Sequence, residues 1–243
     1  MARRPAPTAR AGPGRRGARW GWAWVALSAL AIAVYAPVPY LTGPLAESGG
    51  SLASAYAGQP AFVRVAFYLH IVCGGLALLL GPWQFARRLR ERHPAVHRAT
   101  GWATTVCVLA ASAAALVLAP VNTAGMVGFF GFGTLAVLWP LATLRAVRAA
   151  RARDFAGHQA WMMRSFALTY AAVTLRVSLI VLIFAQLPFL SGADAGQAAQ
   201  QNAYAAVPFL CWLPNIVVAE WLIRRRGLPS FRVQRQEEAA HAR

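Results

Sequence analysis

Several charged and metal-ligating side chains stand where a bilayer would make them costly. His70, Arg164, Arg176 and Glu220 each fall inside a long apolar stretch, His158 stands at the entry to the stretch that holds both of those arginines, and His97 at the entry to another. A charge near the centre of a bilayer is expensive, so such residues are functional by default. An imidazole at that depth can ligate a haem iron, hydrogen-bond a quinone or relay a proton. An arginine can pair with a propionate or a carboxylate. Gln84 and Asn215 add neutral hydrogen-bonding groups to the same stretches.

Spacing groups these residues. His158, Met162, Ser165, Thr169, Ala172 and Arg176 follow one another in alternating steps of four and three. On one continuous helix they share a face. The stripe would run from a His to an Arg about 27 Å away, at about 1.5 Å per residue. His70, Gly74, Ala77, Gly81 and Gln84 repeat the pattern. The two stretches run in opposite directions. If their stripes face each other, His70 meets Arg176 at one level and Gln84 meets His158 at the other. Small residues let a second helix or a flat ligand approach the backbone, so both a packing seam and a binding face fit the pattern. Gly81 would supply room for such a ligand. Glu220 lies near the depth of Arg164, which predicts a neutralising ion pair. Asn215 follows Pro214, whose missing N–H frees a carbonyl in that helix. Asp154 is the expected N-cap of the helix carrying His158. Pro94 is expected in the first turn of the helix carrying His97.

The elements that position these groups are six apolar stretches, each long enough to cross a bilayer, which takes about 20 helical residues. They cover residues 20–40, 63–85, 100–120, 126–144, 161–186 and 204–223. The expected fold is all-α, a polytopic membrane bundle of six transmembrane helices. Its parts are an Arg-rich leader (1–19), a first span (20–40), an outer loop (41–62), a five-helix core (63–225) and a basic tail (226–243). The first apolar stretch exceeds the about 7–15 residues of a signal-peptide core and reads as a retained anchor. The connection between the third and fourth spans is short enough to force a hairpin.

Composition agrees. The 243 residues are 58% hydrophobic and only 13% charged, yet carry a formal net charge of +17. A disordered chain would be less apolar, and a soluble domain carries about 25% charged residues. All 24 basic residues are Arg, and all but Arg64, Arg164 and Arg176 lie in the leader, the tail and two alternate loops. Positive charge stays on the cytoplasmic side, which predicts both termini inside. The basic runs flank spans and lack interleaved aromatics. They therefore point to orientation and to anionic lipid headgroups, with no nucleic-acid partner. Trp20, Trp22, Trp24, Trp83, Trp161 and Trp221 fall near the expected interfaces. Cys73, Cys107 and Cys211 form no CxxC pair and read as packing residues.

Three motifs carry a resemblance. They are HIVCGGLALLLGPWQFARRLRERHPAVHRATG from His70, HQAWMMRSFALTYAAVTLR from His158 and CWLPNIVVAEW from Cys211. In this order the chain resembles, over about residues 60–225, the family of bacterial membrane proteins numbered domain of unknown function twenty-three-oh-six. The resemblance implies a multi-span membrane protein of no assigned activity. Its motif positions here are His70, Gln84, His97, Arg98, Gly101, His158, Arg164, Arg176, Asn215 and Glu220. A looser likeness links the architecture to bundles that hold b-type haem between His-bearing helices, by analogy only.

Three functions compete. The first is a haem b- or quinone-linked redox protein of the bacterial inner membrane. His97 and His158 would ligate a single haem at the cytoplasmic end, with Arg98 or Arg164 on its propionates, or His70 and Arg176 would hold a quinone. A homodimer or an electron-transfer partner is compatible with that role. The second is a small-molecule, proton or lipid transporter, with His70, Arg176, Arg164 and Glu220 along its path. The third is a non-catalytic membrane scaffold or assembly factor. Beyond haem iron no metal site is expected, and no GxSxG, HExxH or P-loop sequence is present.

Overall fold

A computed structural model describes residues 15–43, 55–192 and 194–230. No strand occurs among the described residues. The helices are α1 (Arg15–Tyr35), α2 (Val38–Leu41), α3 (Ala61–Leu80), α4 (Arg87–Arg92), α5 (Pro94–Leu118), α6 (Gly125–Arg151), α7 (Phe155–Thr169), α8 (Ala171–Gln186), α9 (Ala195–Leu210) and α10 (Leu213–Arg225). Single 3-10 turns at Pro82–Phe85, Ala119–Val121 and Leu187–Phe189 extend three of them. Six segments are long and apolar enough to cross a membrane: Trp20–Leu41, Ala61–Phe85, Pro94–Val121, Gly125–Arg151, Phe155–Phe189 and Ala195–Arg225. The six expected spans are therefore present.

Local chemistry explains the well-placed boundaries. Pro94 opens α5, where its missing N–H costs nothing. Asp154 caps α7 by accepting from the Gly157 amide at 2.8 Å. The hairpin between α5 and α6 is organised by Asn122. Its Nδ2 donates to the Ala119 carbonyl at 2.6 Å and its Oδ1 accepts from the Ala124 amide at 2.8 Å. Gly125 then takes φ +59°, which glycine adopts without strain.

Other expectations need correction. The segment carrying His158 and Arg176 is not one helix: it is interrupted at Tyr170, between α7 and α8. No Gly or Pro stands there. Thr169 Oγ1 instead donates back to the Ser165 carbonyl at 2.9 Å. Such back-bonding bends helices. The sixth segment is likewise divided, at Cys211 and Trp212, so Pro214 stands in the first turn of α10 and not inside a helix. The stretch 187–203, read as loop, is helical from Ala195 onward. Its Ala- and Gln-rich sequence favours helix but is too polar to register as a span. At the other end α1 begins at Arg15, inside the leader.

The core is built from small residues. Ala77, Val108, Ala111, Ala142 and Ala171 are buried together with Trp139, Leu168, Cys211 and Trp212. Without a strong hydrophobic drive between helices in lipid, close backbone approach supplies the packing. α3 lies chiefly along α5, and α7 along α6. The second and fifth spans also meet: Phe166 packs on Gly81, Ala77 is buried in one cluster with Leu168 and Ala171, and Leu78 in another with Val173. The room expected at Gly81 is filled: a Cβ there would stand 2.6 Å from the Phe166 ring.

Candidate functional site

The polar residues singled out by sequence separate into three groups. The first is a ladder between α6 and α7. Thr143 and Ser165 hydroxyls bond at 2.7 Å, and Trp139 Nε1 donates to Thr169 Oγ1 at 2.9 Å. All four residues are buried. Ser165 and Thr169 therefore face α6, and their partners Thr143 and Trp139 carried no sequence signal beyond ordinary apolar-helix content. The second is the expected ion pair. Arg164 Nε and Nη2 donate to the two carboxylate oxygens of Glu220, the latter at 3.0 Å. The Arg164 guanidinium also stacks on Trp161, 4.5 Å from the ring centre. A fork-on-carboxylate pair with few open donor directions is a structural clasp between α7 and α10.

The third group lines an open cleft of about 2730 Å³ at the Arg-rich end of the bundle. His97, His158, Gln84, Gly101 and Asn215 all contribute to its wall, as does α1 through Trp20 and Trp22. This volume exceeds the about 300–1,000 Å³ of ordinary small-ligand pockets, so size alone selects no occupant. The histidines are differently held. His158 Nδ1 lies 2.9 Å from the Ala146 carbonyl. A carbonyl only accepts, so Nδ1 carries a proton, and the ring turns Nε2 away from that bond. His97 Nδ1 is buried and has no hydrogen-bond partner among the described residues. His97 and His158 are near enough for their charges to interact. Gln84 does not bond His158, although both line the cleft; its Nε2 donates to Thr100 Oγ1 at 2.8 Å.

Arg98, placed beside His97 by the sequence, lines the same cleft. Asn215 does more than follow a proline. Its Nδ2 donates to the carbonyls of Ala167 at 3.1 Å and Cys211 at 3.0 Å, and its Oδ1 accepts from Thr174 at 2.9 Å. One side chain thus ties together the two helix interruptions.

His70 and Arg176 stand away from this cleft, toward the opposite end, and within charge range of each other. His70 Nδ1 lies 3.0 Å from the Ala111 carbonyl, and Arg176 Nη1 donates to its own Ala172 carbonyl at 2.7 Å. Tyr40 and Tyr56 both pack on Phe67, with ring centres 5.4 and 4.8 Å away, and Tyr204 is within charge range of both. Sequence reasoning missed these tyrosines, because a Tyr at a span end already has an interfacial explanation. Burial and Tyr204 push the Tyr56 phenol up to about 12, so it remains a hydroxyl at neutral pH.

The family model described as a predicted membrane protein (DUF2306) matches residues 67–223. The chain belongs to this family. The match includes both histidines of the cleft, His70, Arg176 and the Arg164–Glu220 clasp. No curated protein and no solved structure matches the chain.

Proposed function

We propose that this membrane protein is a redox protein that holds one b-type haem in the cleft between His97 and His158. The observation that carries the reading is the state of the two rings. His158 has its tautomer fixed by a backbone carbonyl, the arrangement that orients a ligating imidazole. His97 lines the same cleft, and its Nδ1 has no hydrogen-bond partner among the described residues, so no described protein group holds that nitrogen. Both rings line one cleft, at the start of α5 and the start of α7. Gly101, beside Gln84 on the same wall, keeps the backbone bare there. Arg98 and Arg90, which line the same cleft, would neutralise two propionates. When bound, the haem would supply one-electron chemistry. The chain would fix its iron by two imidazoles and its charge by arginine. By the Arg asymmetry this end is cytoplasmic, with both termini on that side.

The test is a reduced-minus-oxidised absorbance spectrum of the full chain purified after haem-replete expression. Soret and alpha bands are expected, and they should vanish in His97→Ala and His158→Ala proteins that keep their helical circular dichroism. Absence of bands in the parent overturns the reading. Transport is the second reading, because adjacent interruptions in two spans, bridged by Asn215, are what transporters use to expose backbone groups to cargo. A protein without absorbance bands that carries protons into pyranine-loaded proteoliposomes would select it.

A further inference from the structure

Arginines that orient a membrane protein need only flank its spans. Here they also surround a hollow. Eight arginines line the cleft, from α4, α5 and the ends of α6 and α10, and Glu91 is the one carboxylate among the described lining residues. Glu91 is committed to Arg87, 2.6 Å away. Arg225 and Arg226 have no carboxylate partner among the described residues. The Arg225 guanidinium lies over the Trp221 ring, 5.0 Å from its centre, and Arg226 Nη1 lies 3.8 Å from Met163 Sδ on the cleft wall. A ring face and a thioether, which is a weak acceptor, leave both charges unneutralised.

Inward from these arginines the wall turns apolar. Asn215, Val218, Ala219, Leu222, Arg225 and Arg226 line the cleft in steps of three and one, so they share one face of α10 and the turn that ends it. Met163 and Phe166 join them from α7. The depth of the hollow is set by its lining. It runs eleven residues from Arg226 to Asn215, and eleven from Pro94 to Thr105 on α5. At about 1.5 Å per residue that is about 16 Å, half of a hydrocarbon layer about 30 Å thick. The cleft is therefore one leaflet deep, charged at its mouth and apolar along its wall.

These features narrow the occupant. A free anion would satisfy the arginines and leave the apolar wall bare. A neutral chain would cover the wall and leave the arginines unpaired. An anionic phospholipid does both, with its phosphate at the mouth and an acyl chain along the wall. The volume, about 2730 Å³, exceeds that of a small-ligand pocket of about 300–1,000 Å³, so such a lipid has room beside a haem-sized ligand. We propose that the cleft seats one anionic phospholipid of the arginine-side leaflet, its phosphate on Arg225 and Arg226 and an acyl chain along Leu222 and Val218. The lipid is read by mass and the haem by absorbance, so either proposal can fail alone.

The experiment titrates dioleoylphosphatidylglycerol into the delipidated full chain in detergent, counts bound lipid by native mass spectrometry and follows the melting temperature. One retained phosphatidylglycerol and a raised melting temperature are expected, with weaker retention of dioleoylphosphatidylcholine. Arg226→Gln should weaken binding about tenfold, the scale of a lost charge-assisted hydrogen bond. Val218→Trp, at an exposed position, sets a ring in the path of the chain and should weaken binding with the charge unchanged. Arg148→Gln removes the same charge from an exposed position of α6 outside the cleft and should leave binding as it was. Equal weakening by Arg148→Gln and Arg226→Gln is unspecific attraction and overturns the proposal. Equal retention of phosphatidylcholine overturns it too, as does stabilisation by inorganic phosphate equal to that by phosphatidylglycerol, which would make the cleft a free-anion site.

Discussion

At the scale of single residues, the polar groups inside the membrane fall into clasped and open sets. Arg164 and Glu220 are clasped: the Arg side chain is 6% exposed and its partner 22%. Removing one partner strands the other charge, which in a fully buried pair costs about 3–5 kcal/mol. The partial exposure of Glu220 lowers this, so Glu220→Gln should destabilise the protein by about 2 kcal/mol in denaturant unfolding. The double variant Arg164→Leu with Glu220→Leu should recover most of that loss, because neither charge is then left alone. Equal stability of Glu220→Gln and the parent would show that the pair holds nothing together. This clasp was legible in the sequence because a carboxylate and a guanidinium at like depth in apolar spans have few alternatives. The state of His97 was not. Whether a ring nitrogen is satisfied depends on which neighbour's carbonyl comes within 3 Å, and only packing sets that.

At the scale of elements, two small-residue positions that look alike in sequence do different work. A Cβ on Gly131 would stand 2.5 Å from Pro208 Cβ and 2.8 Å from the Pro208 backbone, so α6 and α9 touch there through bare backbone. A Cβ on Gly74 meets nothing within 4 Å. Gly131→Ala should therefore lower stability by about 1–3 kcal/mol, the cost of overpacking, while Gly74→Ala should be neutral or slightly stabilising through helix propensity. Thermal unfolding in one detergent compares them, and equal melting points would contradict the close contact of α6 with α9. The stripe of His70, Gly74, Ala77, Gly81 and Gln84 shows the same limit. Periodicity said that these residues share a face, but not that Gly81 would receive Phe166 while Gly74 stays open. The interruption at Tyr170 was equally hidden, since Thr back-bonding leaves no breaker residue in the sequence.

At the scale of the whole molecule, the arginine distribution predicts the orientation of the bundle. The connection between α3 and α5, the last turns of α6 with the short connection after them, and both ends of the chain are rich in Arg, and the alternate connections carry none. Membrane insertion reads that asymmetry, which predicts both termini on the cytoplasmic side. A green fluorescent protein fused after Arg243 should fluoresce in cells, and alkaline phosphatase inserted in the 44–54 connection should be active. The opposite pair of results would invert the bundle and move the His97–His158 cleft to the outer face.

The sequence by itself determined the six spans, their alternating direction and the family, because hydropathy over about 20 residues and the sorting of arginine are local properties of the chain. Only the tertiary structure decided which polar groups meet. It placed His97 with His158 in one cleft, bound Arg164 to Glu220, and turned an Arg176 donor onto its own helix's Ala172 carbonyl. The reason is physical: helix periodicity fixes a face, but the partner of that face depends on close backbone contacts and side-chain caps between helices distant in sequence.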